Sequence, residues 1–198
     1  MAQKLELFYP VKPYRCHQKF GDCFPTVCQK YHELGLKGHN GEDLWAPDGW
    51  IVRAAHDGKV TFAGEDDSAG LGVVIRTHDK RVYGDTEAHF KTIYWHLKAG
   101  SILVRASQDV RVGDILAFAD NTGISTGSHL HFGLKPVVQG EQEWSWMNLE
   151  STNGYKGAID PSPYWTGLYA EDFASWRAQL TAIRLQLEKL VLGLGKGA

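Results

Sequence analysis

Gly127-Ser128-His129-Leu130-His131-Phe132-Gly133 places two histidines one residue apart in a run that reads as a β-strand. Side chains alternate faces along a strand, so His129 and His131 point the same way. Two imidazoles side by side on one face are costly in an apolar core. They suit a metal site, where one ring binds the ion and its neighbour handles protons.

Working outward from this stretch, the central part of the chain has strand character. IVRAA (51–55), GKVTFAG (58–64), LGVVIRTH (71–78), FKTIYWHL (90–97), SILVRA (101–106), DILAFAD (114–120) and HLHFGLK (129–135) are short apolar or alternating runs. Gly and Asp punctuate them at Asp57-Gly58, Ala69-Gly70, Ala99-Gly100 and Gly113-Asp114. Short strands joined by tight turns predict a mostly antiparallel sheet and a mainly β domain with peripheral helices. Residues 5–15 read as extended between two prolines, the Cys-bearing stretch to Gln29 as a loop, 35–50 as an ordered loop, and 138–163 as a long loop.

The composition changes near residue 170. Phe173, Trp176, Leu180, Ile183, Leu187, Leu190 and Leu194 recur at three- and four-residue steps, with no proline and no glycine before Gly193. This predicts an amphipathic helix, started by Glu171 and Asp172. The expected division is a catalytic domain over 1–168 and a C-terminal helix over 169–198. Three roles suit the helix: packing on the domain, self-association through 170–194, or contact with a membrane or particle. Its polar face mixes Arg177, Arg184, Lys189 and Lys196 with Glu171, Asp172 and Glu188, which disfavours the membrane.

The net charge of −2 gives no electrostatic case for nucleic acid. No apolar run approaches the roughly 20 residues of a membrane span. Residues 1–20 hold Lys4, Pro10, Lys12, Arg15 and Lys19 and no apolar signal core. The chain is therefore expected to be made and held in a cytoplasm and to reach another compartment by lysis, through a partner pore or on a particle. Cys16, Cys23 and Cys28 form no C-x-x-C pair, and reducing synthesis predicts plain thiols, with one disulfide as the alternative.

Nine histidines carry the chemistry. In His39-Asn40-Gly41-Glu42-Asp43, a His and an Asp four apart converge on one ion if the chain turns, and Gly41 permits a turn. Tyr94-Trp95-His96-Leu97 puts His96 at the end of a strand, where it shares a face with Thr92 and Tyr94. A catalytic zinc site keeps three protein ligands and one open position. The chain offers His39, Asp43 and one of the paired histidines as ligands. The other paired histidine and His96 remain to act on water and on a reacting carbonyl. The inventory fits metal-assisted amide hydrolysis, and the absence of an H-E-x-x-H helix excludes the zincin plan. His17, His32, His56, His78 and His89 lack such context.

The set H-x-G-x-D (His39, Gly41, Asp43), W-H-L (His96) and T-G-x-S-T-G-x-H-L-H-F (Thr122 to Phe132) resembles the lysostaphin-type zinc metalloendopeptidases, which cut peptide bonds in peptidoglycan. The A-x-x-G-x-V turn from Ala55 to Val60 also suits that family. The resemblance covers roughly residues 35–135. It implies a small antiparallel sheet crossed by a zinc-containing groove, and one Zn2+ per chain held by His39, Asp43 and His131. It also implies two catalytic histidines: His129 as general base, and His96 to orient water or stabilise the oxyanion. In several members a Tyr shortly before the first ligand stabilises the tetrahedral intermediate, and the nearest here is Tyr31. Trp144, Trp146, Tyr155 and Trp165 are candidates for the groove wall, with packing as the alternative.

The expected partner is a peptidoglycan peptide, and the expected source a phage lysin released by a holin or carried on a virion tail. Both Gly-Gly bridges and D-Ala-to-diaminopimelate cross-links suit the resemblance. Two other classes compete: a non-catalytic wall-binding or activator module, and a virion structural component. All five site positions are present, which favours an enzyme.

Overall fold

The computed structural model describes residues 2–142 and 145–194. Its first half holds β1 (Gln3–Lys4), β2 (Leu7–Tyr9), β3 (Cys16–Gln18), α1 (Pro25–Glu33), β4 (Glu42–Trp45), β5 (Ile51–Arg53), β6 (Gly58–Asp66), β7 (Gly70–Thr77), β8 (Arg81–Tyr83) and β9 (Thr86–Trp95). There follow β10 (Asp109–Val110), β11 (Ile115–Phe118), β12 (His129–Gln139), β13 (Trp146–Asn148), β14 (Trp165–Tyr169) and α2 (Ala170–Leu194).

The main sheet runs β10-β6-β7-β9-β12-β4-β3, with β8 and β13 attached to β9 and β12. Every pairing along this path is antiparallel, as the short alternating runs predict. One face of the sheet is apolar. Leu44, Val60, Val73, Ile75, Phe90, Tyr94, Leu130, Phe132 and Leu134 are fully buried there, in one cluster with Leu5, Leu7, Val52, Ala54, Leu116 and Ala117 from β2, β5, β11 and their neighbours. Burying each large side chain contributes about 1.5–3 kcal/mol, so this face sets the register of every strand. The alternate residues are left to form the other face, where His129 and His131 lie.

A polar chain crosses the buried face. His56 is 6% exposed. Its Nδ1 is 2.8 Å from the Asp57 carbonyl and its Nε2 is 2.8 Å from Thr92 Oγ1. Thr92 Oγ1 lies 3.2 Å from the Tyr94 hydroxyl, which accepts the Ala55 N–H at 2.9 Å. The Asp57 carbonyl can only accept, so Nδ1 carries the proton and Nε2 accepts from Thr92. Burial pushes the His56 pKa down to about 4, against about 6.5 in an unfolded chain. As pH falls from 6.5 towards 4, the unfolded chain takes up a proton that the folded ring refuses. Stability contributed by the neutral ring is present above 6.5 and is lost across that window, by up to about 3 kcal/mol. Urea midpoints measured from pH 7 to pH 4 should fall more steeply for the native chain than for His56→Gln. Parallel curves would show that His56 is not held neutral.

Several local expectations are corrected. The Cys-bearing stretch is not all loop: it enters α1, with Pro25 in its first turn. α1 has only 9 residues, fewer than the roughly 11–18 over which a helical period can be read from sequence. Cys23 and Cys28 are disulfide-bonded, and Cys16 alone is a free thiol. The turn through Phe24 and Pro25 brings their Cα atoms to 4.6 Å, a proximity that a prior based on compartment does not contain. Residues 101–106 form no strand. That segment runs beside β11 with one backbone bond, Leu103 N–H to the Leu116 carbonyl at 2.8 Å, and is anchored by Ser101. The loop at 35–50 contains β4, and that at 138–163 contains β13.

α2 is present, but packing on the domain accounts only for its first turns. Phe173 meets Phe8 with ring centroids at 5.0 Å, and Arg177 bonds the Val112 carbonyl and Asp114. Trp176, Leu180, Ile183 and Leu187 are more than half exposed. The side chains of Lys189, Leu190 and Leu194, and the whole of Lys196, lie outside the described residues. No described helix is long and apolar enough to cross a membrane.

Candidate active site

Strand register builds the site. β12 pairs with β4 so that His131 faces Asp43 directly, and with β9 so that His131 faces Trp95. Leu130 and Phe132 are fully buried, which turns His129 and His131 together onto the opposite face. Asp43 shares that face, while its neighbour Glu42 points into the core. Glu42 there accepts the Tyr14 hydroxyl at 3.0 Å and the Trp165 indole N–H at 3.1 Å. His39 sits just before β4. Its backbone N–H bonds the Asp22 carbonyl at 2.9 Å, and its carbonyl takes the Gly21 N–H at 2.8 Å.

Three atoms meet as a result. His39 Nε2 lies 3.0 Å from Asp43 Oδ1 and 3.0 Å from His131 Nδ1, and His131 Nδ1 lies 3.1 Å from Asp43 Oδ1. Tetrahedral bonds of about 2.0–2.2 Å separate ligand atoms by about 3.3–3.6 Å, so the near-equilateral triangle fits a zinc-sized ion after a slight expansion. The tautomer agrees. His39 Nδ1 is 3.2 Å from the Lys19 carbonyl and donates to it, which leaves Nε2 as a lone pair aimed at the shared centre. Burial holds the His131 pKa below its ordinary value and so favours the neutral ligand form. Burial would raise the Asp43 carboxyl, but its close contacts with His129, His131 and His39 hold it well below the usual carboxylate range.

Gly41 matters for a reason other than a turn. A Cβ there would lie 2.5 Å from the Phe132 carbonyl oxygen and 2.7 Å from His131 Cε1. The glycine leaves room for the His131 ring to sit close against the chain that carries Asp43.

The two remaining histidines flank the triangle. His129 Nε2 lies 3.4 Å from Asp43 Oδ1, and its Nδ1 donates to the Gly127 carbonyl at 2.7 Å. Burial lowers the His129 pKa, but the bond and charge of Asp43 outweigh it, so the net shift is upward. His96 does not share a face with Thr92 and Tyr94, contrary to its position in the pattern. β9 ends at Trp95, and His96 takes φ +65°, which breaks the alternation and brings its ring to 4.6 Å from that of His129. Left-handed backbone at a non-glycine residue is strained, and such strain clusters at functional sites. The His96 Nδ1 donates to the Thr122 carbonyl at 2.8 Å, leaving Nε2 as an acceptor. Burial, then the neighbouring His129, pushes its pKa down to about 4.

The loop from Thr122 to Gly127 therefore does more than connect. Two of its carbonyls fix the tautomers of both flanking histidines. It is pinned by Thr122 Oγ1, which donates to the Leu97 carbonyl at 2.7 Å and accepts the Leu71 N–H at 3.1 Å. The T-G-x-S-T-G block preceding the paired histidines was the signal available in the sequence.

A groove of about 360 Å³ holds His39, Asp43, His96, His129 and His131, and its walls include Tyr31, Trp95, Ile124 and Lys135. Tyr31 stacks near His39 at 5.8 Å between centroids and accepts a bond from Gln18 Nε2 at 2.7 Å. Burial, then Asp43, raises the Tyr31 pKa to about 12, so its hydroxyl keeps a proton to donate. A second hollow of about 310 Å³, lined by Tyr9, Trp50 and Arg53 among others, contains none of these groups.

The aromatic wall candidates pack elsewhere. Trp165 packs on Phe132 and Tyr9, Tyr155 on Phe20, and Trp146 on His89 and Arg76. Trp144 lies outside the described residues. Cys23, Cys28 and His32 also cluster, but sulfurs joined to each other are not thiolate ligands.

Three metal-compatible donors with two further imidazoles on the floor of an open groove define a metallohydrolase type of centre. The model of peptidase family M23 matches residues 37–143, just over half of the chain, and the protein belongs to that family. The DD-carboxypeptidase/endopeptidase Mpg of Neisseria meningitidis is 42% identical over 94 residues, which are 48% of this chain and 19% of that protein. The peptidoglycan DD-endopeptidase ShyB of Vibrio cholerae is 38% identical over 94 residues, 48% of this chain and 20% of that one. The chain thus spans about a fifth of the length of these curated relatives. Among solved structures, a zinc-containing peptidase from Vibrio cholerae matches with TM-score 0.54 and 28% identity, over 80% of this chain and 41% of that one. The catalytic domain of lysostaphin from Staphylococcus simulans shares the fold, with TM-score 0.54 and 24% identity over 76% and 91%. Family membership supports a peptidoglycan hydrolase. These relatives are bacterial, and they lend no specific support to a phage origin.

Proposed function

We propose that the protein is a zinc endopeptidase that hydrolyses peptide bonds in the cross-links or stem peptides of bacterial peptidoglycan. The observation that carries this reading is the triangle of His39 Nε2, Asp43 Oδ1 and His131 Nδ1, with 3.0–3.1 Å edges, beside two non-ligand imidazoles. These three residues would hold one Zn2+ per chain. Bound zinc supplies a Lewis acid that polarises a carbonyl and acidifies water to a pKa of about 7.

The chain's own groups do the rest. His129 takes a proton from the attacking water at Nε2, the atom turned toward Asp43, while its Nδ1–H stays anchored on Gly127. As the new C–O bond forms and the amide C–N bond breaks, that proton passes to the leaving amine. His96, neutral and with Nε2 unprotonated, accepts a hydrogen bond from the same water and aims it. This tautomer suits water positioning rather than donation to an oxyanion. Donation falls to Tyr31, whose hydroxyl is oriented by Gln18 and keeps its proton. The wall would be reached after holin-type release or from a phage particle.

The purified chain with zinc should lower the turbidity of wall suspensions, and a chelator should stop it. His129→Ala should retain zinc yet lose about 10²–10⁴-fold in rate. Unchanged lysis by His129→Ala, or an inert zinc-loaded protein on every wall type, would remove this reading.

A further inference from the structure

Arg76, Lys91 and Lys135 stand in one row across three neighbouring strands. The register pairs Arg76 of β7 with Lys91 of β9, and Lys91 with Lys135 of β12. Their chain neighbours Ile75, Thr77, Phe90, Thr92 and Leu134 are buried on the core side, so the three cations share the groove face. Like charges directly opposite one another destabilise a sheet. None of the three has a carboxylate partner among the described residues. The Arg76 guanidinium lies 3.7 Å from the Trp146 ring centroid, and its buried Nε has no hydrogen-bond partner. A merely solvated charged face would extend into water, but all three residues are partly buried.

The row meets the groove at Lys135. Lys135 and Lys156 both line it. Burial, then Lys91 and Lys156, lowers the Lys135 pKa, so this ammonium sits among like charges without compensation. Asp66 also lines the groove, but its Oδ1 accepts the Ser68 and Ala69 N–H groups and the Ser68 hydroxyl, and its charge acts on Lys156 and not on Lys135. Lys135 lies four residues beyond His131 on the same strand, about 13 Å at 3.3 Å per residue. Between them Gly133 leaves the floor open, facing Ile93. Less the reach of the lysine stem, that distance matches two or three residues of an extended peptide bound at the metal triangle.

We propose that Lys135, backed by Lys91 and joined by Lys156, forms a carboxylate-binding subsite that selects peptides with a free carboxylate two or three residues from the cleaved bond. The proposal rests on the endopeptidase reading and sharpens it: an acidic stem or cross-link peptide fits, and a neutral oligoglycine bridge leaves the cations unpaired. The carboxylate could be a chain terminus, the α-carboxylate of a γ-linked glutamyl residue, or that of a diamino-acid residue.

The zinc-loaded full chain is given a D-alanyl–diaminopimelyl cross-linked peptide as the free acid and as three amides, each with one of these carboxylates converted. The native chain should prefer the free acid over one particular amide by about ten- to a hundredfold in kcat/KM, and that amide identifies the source. Lys135→Met should narrow this ratio to within about twofold, Lys135→Arg should restore much of it, and raised salt should shrink it. Equal cleavage of the acid and every amide, or an unchanged ratio in Lys135→Met, overturns the subsite while leaving the hydrolase intact. Calorimetric binding of the same peptides to His129→Ala reads the subsite without turnover. Acid-selective binding by His129→Ala, with the zinc-loaded native chain cleaving none of these peptides, keeps the subsite and removes the endopeptidase, and binding without selectivity removes the subsite.

Discussion

Asp43→Ala is expected to give a folded protein that no longer retains zinc and no longer hydrolyses peptidoglycan. Asp43 supplies the only negative charge in the ligand triangle, and its Oδ1 lies within 3.4 Å of the nearest nitrogens of His39, His129 and His131. Its removal leaves two imidazole nitrogens 3.0 Å apart, too few donors for a stable site. Loss of an outer partner to a metal ligand typically costs 10–100-fold in affinity, so loss of a ligand should exceed a hundredfold. Asp43→Asn should fail nearly as completely, because the amide keeps the shape but not the charge. Metal analysis after gel filtration, read beside far-ultraviolet dichroism, checks both outcomes. Full zinc occupancy in Asp43→Ala would show that the triangle is not the metal site.

Gly41→Ala should damage the same centre from a residue that touches neither metal nor substrate. The added Cβ meets the Phe132 carbonyl at 2.5 Å and the His131 ring at 2.7–2.8 Å. The carbonyl belongs to β12, whose ladder with β4 and β9 leaves it no room to retreat. The His131 ring must therefore move, and its Nδ1 leaves the triangle. Overpacking of this kind costs about 1–3 kcal/mol in stability. Zinc affinity should drop about 10–100-fold, and activity at limiting zinc should drop with it. Competition with a chromophoric chelator measures the affinity, and a chemical melt measures the stability. Unaltered zinc affinity would mean that the His131 ring can yield without leaving the centre.

These two variants separate what a linear reading supplies from what folding supplies. The shared orientation of His129 and His131 was legible because period-two alternation is local and Leu130 and Phe132 enforce it. The membership of His39 and Asp43 was legible as a pattern, and the reason for Gly41 was not. The sequence suggests a turn, while the structure shows a close approach by a ring 90 positions away. Alternation predicts the wrong face for His96, because one left-handed residue cancels it and nothing in Tyr94-Trp95-His96-Leu97 announces that residue. α1 is not legible because its 9 residues are too few for a helical period to stand out from the loop chemistry around it. The disulfide depended on two Cα atoms meeting across a turn.

The amino-acid sequence alone determined the β-rich class and the C-terminal helix and singled out five candidate site residues, because periodicity and side-chain type are local properties. Only the tertiary structure decided which atoms of those residues converge, which tautomers the Thr122 and Gly127 carbonyls impose, and that Arg76, Lys91 and Lys135 stand side by side. The physical reason is strand register. Burial of one apolar face fixes how distant strands slide against one another, and that alignment then dictates every neighbour on the opposite face.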